Sequence, residues 1–268
     1  MKFIKLIIVL ALAFVSCKKN SEKAPVEITD YKTETLDVTT SIYPENLTKV
    51  FDAHGGIDAW RQFQFLEFTM EKPDGNEITK TDLKNRKALI EMPNHTIGFD
   101  GENVWLNSKD DSEFKGANPK FYYNLMFYFY AMPFILADDG IIYGEAKPLE
   151  FEGKTYPGIS ISYHDGVGES SEDEYVLYYN PDTYRMEWLG YTVTFFTNEK
   201  SKELHFRRYN NWQEVGGLLL PKSIVRYNYA NNLPTTVHSE NLFSNIKISK
   251  EKPNQDIFIK PESAKIVE

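Results

Sequence analysis

The order of apolar and polar positions divides the chain into three regions. Residues 6–15 are an unbroken apolar run behind Lys2 and Lys5, and residues 17–40 are polar with no sustained period. From Ser41 onward the pattern becomes periodic. Leu47, Val50, Phe51 and His54 recur at helical spacing after Pro44, whose missing N–H costs nothing in a first helical turn, and Gly55-Gly56 stops that helix. A short second turn carries Ile57 and Trp60. The period then switches to two. Leu66, Phe68 and Met70 alternate with Glu67, Thr69 and Glu71, which predicts a half-buried strand, and Pro73-Asp74-Gly75-Asn76 turns it back. Residues 88–92 and 96–99 read as extended, and Asp100-Gly101 closes a hairpin into Val104-Trp105-Leu106. Further strands are expected over 155–163, 174–179, 184–196, 204–212, 218–229 and 237–248, with a turn at Asn180-Pro181-Asp182-Thr183. Tight turns at such short intervals predict an antiparallel meander rather than βαβ units.

Residues 119–137, PKFYYNLMFYFYAMPFILA, interrupt this pattern. Asn118-Pro119 marks a helix start and Pro133 a kink or stop. Apolar or aromatic side chains lie on every face, so such a helix must be buried or membrane-embedded. Asn124, four tyrosines and Pro133 break a run already marginal for a span, and burial is the better reading. The expected fold is α+β and mainly antiparallel β. A curled half-barrel sheet carries an N-terminal helix and an apolar lid helix over its concave face.

Composition agrees: aromatics reach 15%, with 18 Phe and 17 Tyr, and aromatic residues favour strands. Charge narrows the partners. The net charge is −9, and without residues 1–16, which hold Lys2 and Lys5, 28 basic residues face 39 acidic ones. A surface this acidic repels phosphate backbones and anionic lipid, so nucleic acid is excluded and membrane contact must come from an anchor. The single cysteine, Cys17, allows no intrachain disulfide and no thiolate metal cluster.

The position of that cysteine suggests the anchor. Residues 1–16 have the charged n-region and apolar core of a signal peptide, too short to span a bilayer. Phe14-Val15-Ser16-Cys17 resembles the lipobox of bacterial lipoproteins, which implies cleavage before Cys17 and acylation there. An ordinary secretory signal with an incidental cysteine is the alternative. Residues 17–40 would then be a lipidated, flexible tether, and 41–268 a single domain. Lys18 is not the aspartate that retains lipoproteins at the inner membrane, and no acidic run follows Cys17. By resemblance, the periplasmic face of the outer membrane is expected.

Further motifs resemble those of the LolA/LolB superfamily of periplasmic lipoprotein carriers and receptors. These are the hairpin Phe99-Asp100-Gly101-Glu102-Asn103-Val104-Trp105, the strand entry Gly217-Leu218-Leu219-Leu220-Pro221 and the closing Phe258-Ile259-Lys260-Pro261. Ala53-His54-Gly55-Gly56-Ile57-Asp58-Ala59-Trp60 resembles the opening of uncharacterised lipoproteins with that fold. The resemblance spans most of 44–262 and implies an open half-barrel with a helical lid over an apolar cavity for acyl chains. The chain departs from the carriers in being longer and itself lipidated. Their cavity-closing arginine has no clear counterpart, Arg86 lying in roughly the right strand.

No stretch reads as an active site. Histidines 54, 95, 164, 205 and 238 show no ligand spacing, and His54 fits a cation at a helix C-terminus. Residues 165–174, DGVGESSEDE, lack the spacing of a calcium loop and fit an acidic hairpin tip. Asp110-Asp111 and Asp138-Asp139 fall in polar connections, and no serine elbow, P-loop or dinucleotide fingerprint occurs. No metal, cofactor or catalytic residue is therefore expected. The candidate lining of a cavity under the lid is Leu66, Phe68, Met70, Trp105, Leu125, Phe127, Phe129, Phe134, Trp188, Tyr191 and Phe195, with plain core packing as the competing reading. The function expected is a non-enzymatic, monomeric lipoprotein binding a lipid or acylated protein. The rivals are a structural or interaction lipoprotein with a self-filled core and an envelope hydrolase.

Overall fold

The computed structural model describes residues 42–164, 172–197 and 200–268. The leader, Cys17 and its tether, and residues 165–171 of the acidic tip lie outside the described residues. Among those described, no helix is long and apolar enough to cross a membrane.

Two helices open the domain, α1 (Glu45–Ala53) and α2 (Ile57–Gln62). Leu47, Val50 and Phe51 form the fully buried stripe of α1. Gly55 and Gly56 then take positive φ, and the Gly56 N–H returns to the Phe51 carbonyl at 2.8 Å, closing the helix end. There follow β1 (Phe65–Met70), β2 (Glu77–Asp82), β3 (Ala88–Glu91), β4 (His95–Phe99) and β5 (Val104–Ser108), each paired antiparallel with the next. After the apolar segment come β6 (Ile141–Phe151), β7 (Lys154–Tyr163), β8 (Tyr175–Tyr179), β9 (Met186–Tyr191), β10 (His205–Val215), β11 (Leu218–Ala230) and β12 (Leu233–Ser249), a second meander. β12 pairs with β1 and joins the two meanders, while the short β13 (Lys265–Ile266) extends the sheet beyond β5. The result is a 13-stranded antiparallel sheet whose edges, β13 and β6, do not meet. The mainly antiparallel, unclosed sheet expected from the pattern is the one observed.

Three elements differ from the sequence reading. β6 was not anticipated, because it is an edge strand with few buried positions and a register shift beside Pro148, a device that blunts an edge. β9 ends at Tyr191 rather than running to Phe196, and the chain leaves the sheet where Thr192 and Thr194 bond to Asp173. The apolar segment is not one helix. It breaks into α3 (Pro119–Tyr122), α4 (Leu125–Tyr130) and a 3₁₀ turn at Phe134–Ala137. Asn118 caps α3 by accepting from the Lys120 N–H at 2.9 Å, and the chain restarts at Asn124 so that successive aromatics meet different parts of the sheet.

This segment and α1–α2 fill the concave face. The main core joins Leu66, Phe68 and Met70 of β1 with α4, the 3₁₀ turn and residues of β7 to β11. The other face carries its own small clusters, Trp188 with Tyr178, Phe206 and Tyr227, and Trp105 with Leu89 and Phe258.

The motifs of the first subsection meet in space. Residues 53–56 and 217–221 form one joint: the Leu219 N–H donates to the His54 carbonyl at 2.9 Å, and a Cβ on Gly55 would lie 2.3 Å from the Gly217 carbonyl oxygen. The hairpin and closing motifs form another, where the Trp105 indole N–H donates to the Phe258 carbonyl at 3.3 Å. The Trp105 ring lies across Gly98, whose Cβ would sit 2.1 Å from it. His54 is fully buried, with Nδ1 donating to the Val50 carbonyl at 2.8 Å and its ring edge-on to Trp212. Burial holds its pKa down at about 4, with Arg185 adding a smaller push, so it is neutral at pH 7 and not the helix-end cation expected.

Two outcomes follow from this joint. Gly55→Ala, at φ +105° and against a carbonyl, should cost about 2 kcal/mol or more in urea unfolding. For His54 the unfolded chain binds a proton below about pH 6.5 and the folded chain only near pH 4. Its contribution to stability is therefore present above pH 6.5 and falls by up to about 3 kcal/mol as pH drops through that window. The difference in stability between wild type and His54→Gln should vary with pH in that interval and be flat above it.

Candidate functional site

The eleven residues expected to line a cavity are not brought together in one place. Leu66, Phe68 and Met70 do lie beneath the apolar segment, but they are packed solid: Phe68 stacks on Tyr130 at 4.2 Å and meets Phe243 at 5.6 Å. Trp105 and Trp188 belong to the opposite face of the sheet and are not brought to the lid. Strand alternation explains this, since Leu189 and Val104 take the inward positions next to them. Leu125, Phe129 and Tyr191 come together around open space.

That space is a cavity of about 340 Å³ at the β8–β11 end of the sheet. Its roof is Phe121 of α3 with Leu125 and Phe129 of α4, and its floor includes Tyr175, Tyr191 and Val193. Phe195 is half-buried at the rim, its ring 5.1 Å from that of Phe121, and Phe196 packs on the same ring from outside. Polar groups enter from β10 and β11. Arg207 is only 8% exposed, and its guanidinium lies 3.9 Å from the centre of the Phe129 ring and 5.8 Å from that of Tyr191. Its Nε and Nη1 are buried with no hydrogen-bond partner. Arg226, directly opposite Arg207 in the β10–β11 register, is exposed and lines the same cavity. His205 stacks on Tyr191, and burial together with the two arginines lowers its pKa, while Glu203 opposes them. Among the described residues Asp173 is the one carboxylate of the lining. It belongs to the stretch expected as a solvated tip, yet it is buried, accepts from the Thr194 N–H at 2.8 Å, and burial raises its pKa.

Phe134 and Phe127 line smaller spaces. Phe134 stacks on Trp60 beside a cavity of about 230 Å³, and Phe127 borders one of about 70 Å³. Arg86 reaches both, its guanidinium over the Phe127 ring and its Nη2 on both carboxylate oxygens of Asp138 at 2.6 Å. Asp138 thus serves as an anchor for the end of the apolar segment, and Asp110 is absorbed in a turn with Ser112. Tyrosine hydroxyls hold the rest of the segment. Tyr209 donates to the Phe129 carbonyl at 2.9 Å, Tyr143 to that of Leu136 at 2.6 Å and Tyr43 to that of Ala137 at 3.2 Å. At the front, Tyr122 donates to the buried Glu77 at 2.6 Å, and Lys72 pairs with the same carboxylate.

Among the described residues no group of three or more His, Cys, Asp or Glu side chains could hold a metal ion. Sequence reasoning missed Arg207, because Arg207-Arg208 reads as a charged pair on a solvated strand. The signal available was a charge at a position whose strand neighbours Leu189 and Tyr191 point inward.

A model of a family of unknown function, DUF6503, matches residues 107–236, slightly less than half of the chain. No curated protein matches. In structure the chain is similar to a LolA superfamily protein from Nitrosomonas europaea (13% identity, 80% of this chain and 96% of that one, TM-score 0.46). It is also similar to a DUF1329 family protein from Desulfovibrio piger (11%, 76% and 93%, TM-score 0.43). A third likeness is to a domain assigned to outer-membrane lipoprotein sorting in Vibrio parahaemolyticus (9%, 75% and 93%, TM-score 0.40). At these scores the likenesses carry no argument about activity.

The Arg86–Asp138 pair gives a local prediction. Arg86→Gln should lower global stability by only about 1 kcal/mol, both partners being about one-third exposed. Amide exchange at Leu136 and Asp138 should rise more than elsewhere, and unchanged exchange there would show that the pair does not fasten the segment.

Proposed function

We propose that the chain is a lipid-anchored envelope protein that binds a hydrophobic ligand, an acyl chain, lipid or lipoprotein, in the cavity between residues 119–130 and strands β8–β11. The observation that carries this reading is the cavity of about 340 Å³ with Phe121, Leu125 and Phe129 above it and Tyr175, Tyr191 and Val193 below. Its size falls at the lower end of ligand sites, roughly 300–1,000 Å³, and a mainly apolar wall with a few polar groups is their usual make-up. Apolar burial at roughly 25 cal/mol per Å² would supply the affinity. Acylated Cys17 would hold the domain at the periplasmic face of the outer membrane, a placement supported by the leader and by Lys18. In this reading the protein is a monomer without catalytic chemistry. Its partners are the ligand and, through the anchor, the membrane.

A second reading rests on the Phe68–Tyr130–Phe243 stack, which leaves the centre of the concave face full. It makes the protein a structural or interaction lipoprotein that needs no cargo.

Native mass spectrometry of the full chain carrying Cys17→Ser, purified from cells, separates the two. Bound mass that is released by organic extraction supports the ligand-binding reading, and Leu125→Trp, which fills the cavity from a half-buried position, should reduce it at least ten-fold. Clean protein that takes up no added fatty acid supports the self-filled core.

A further inference from the structure

The cavity is not uniformly apolar, and the buried cation Arg207 narrows the chemistry of the ligand. A guanidinium stays charged at any ordinary pH, and a buried charge without a partner is costly. Arg207 lies in that position, with Nε and Nη1 buried and unbonded. Among the described residues no carboxylate lies within ion-pair distance of it. The Phe129 ring recovers part of the cost through a cation–π contact at 3.9 Å, but a ring face cannot accept the two in-plane N–H groups. Arg226 adds to the strain, because like charges directly opposite in a sheet repel. Both side chains border one space, in a chain whose net charge is −9.

An anion between the two arginines would remove both costs at once. A planar carboxylate matches the fork of a guanidinium, taking two parallel N–H bonds. The rest of the wall fixes what must be attached to it, since Phe121, Leu125 and Phe129 offer apolar surface running away from Arg207 under α3 and α4. Asp173 on the same wall disfavours a doubly charged head, and a cavity near the lower end of the ligand range does not suit two chains. We propose that the occupant is a single-chain amphiphile with a carboxylate head, its head bound by Arg207 and Arg226 and its chain lying along Phe121, Leu125 and Phe129. This rests on the ligand-binding reading above and deepens it, since an ester-linked acyl chain of a lipoprotein carries no such head.

Titration calorimetry of the full Cys17→Ser chain with dodecanoate, methyl dodecanoate and dodecyl phosphate tests it. Dodecanoate should bind at least ten-fold more tightly than the ester. Arg207→Met should remove that advantage, bringing the affinity for dodecanoate down to about that for the ester. Arg226→Ala, at an exposed position where folding is not at risk, should weaken dodecanoate several-fold and narrow its advantage over the ester. If the ester binds as tightly as the acid, or both variants bind the acid like wild type, the carboxylate site is wrong while the apolar cavity stands. Tighter binding of dodecyl phosphate than of dodecanoate also overturns it, in favour of a phosphate head. If no probe binds, the ligand-binding reading fails and this inference fails with it.

Discussion

A broad sheet with one apolar face must have that face covered, and here a single segment of 19 residues does most of the covering. Residues 119–137 bring aromatic and aliphatic side chains on all sides, so they can be buried against strands from both meanders at once. The cost is that the segment's own backbone is buried with them. The last residues of α4 and of the 3₁₀ turn leave carbonyls outside any helix ladder, and a buried carbonyl without a partner costs free energy comparable to a lost hydrogen bond. Tyr209 and Tyr143 supply partners for Phe129 and Leu136 from the sheet, and Tyr43, ahead of α1, supplies one for Ala137. The high tyrosine content thus has a structural use: each of these rings packs in or against the core while its hydroxyl fastens the cover.

The fit between cover and sheet is uneven, and the unevenness locates the site. Under α4 the rings of Phe68, Tyr130 and Phe243 interlock, and Trp60 closes against Phe134, so the middle and the β1 side are dense. Toward β8–β11 the cover is a single line of side chains, Phe121 of α3 with Leu125 and Phe129 of α4, and the floor is interrupted where β9 stops at Tyr191. The chain then turns away through Thr192–Thr194, held by Asp173, and leaves the space that Arg207 borders.

Much of the architecture was legible in the residues. The helix from Pro44, the switch to period two at Leu66, the hairpin at Asp100-Gly101 and the buried character of 119–137 all follow from local pattern, and the structure keeps them. What pattern could not decide was phase. β8 and β9 carry large apolar residues at adjacent positions, Leu177 beside Tyr178 and Trp188 beside Leu189, and alternation alone does not say which of the two faces the lid. The tryptophans drew attention by size, yet they cover the outer face, where Trp105 also seats the C-terminal segment at Phe258. β6 escaped notice because both its faces are largely wet. The candidate site was legible only in part: Leu125, Phe129 and Tyr191 were on the right surface, while Arg207 was hidden by an arginine neighbour that faces the other way and packs over Trp188.

These constraints also bear on how a ligand would enter. Lid opening would require at least four fastenings to break together, the three tyrosine hydroxyls and the Arg86–Asp138 pair, along with the rings packed beneath α4. It would also expose a large apolar face to water. Entry beside Arg226, which is already exposed and borders the cavity, requires none of this. An amphiphile entering there chain-first would bury its tail under α3 and α4 and bring its head last to the arginines. In the proposed mode the head thus stays nearest to water, and the sheet and its cover keep their shape throughout.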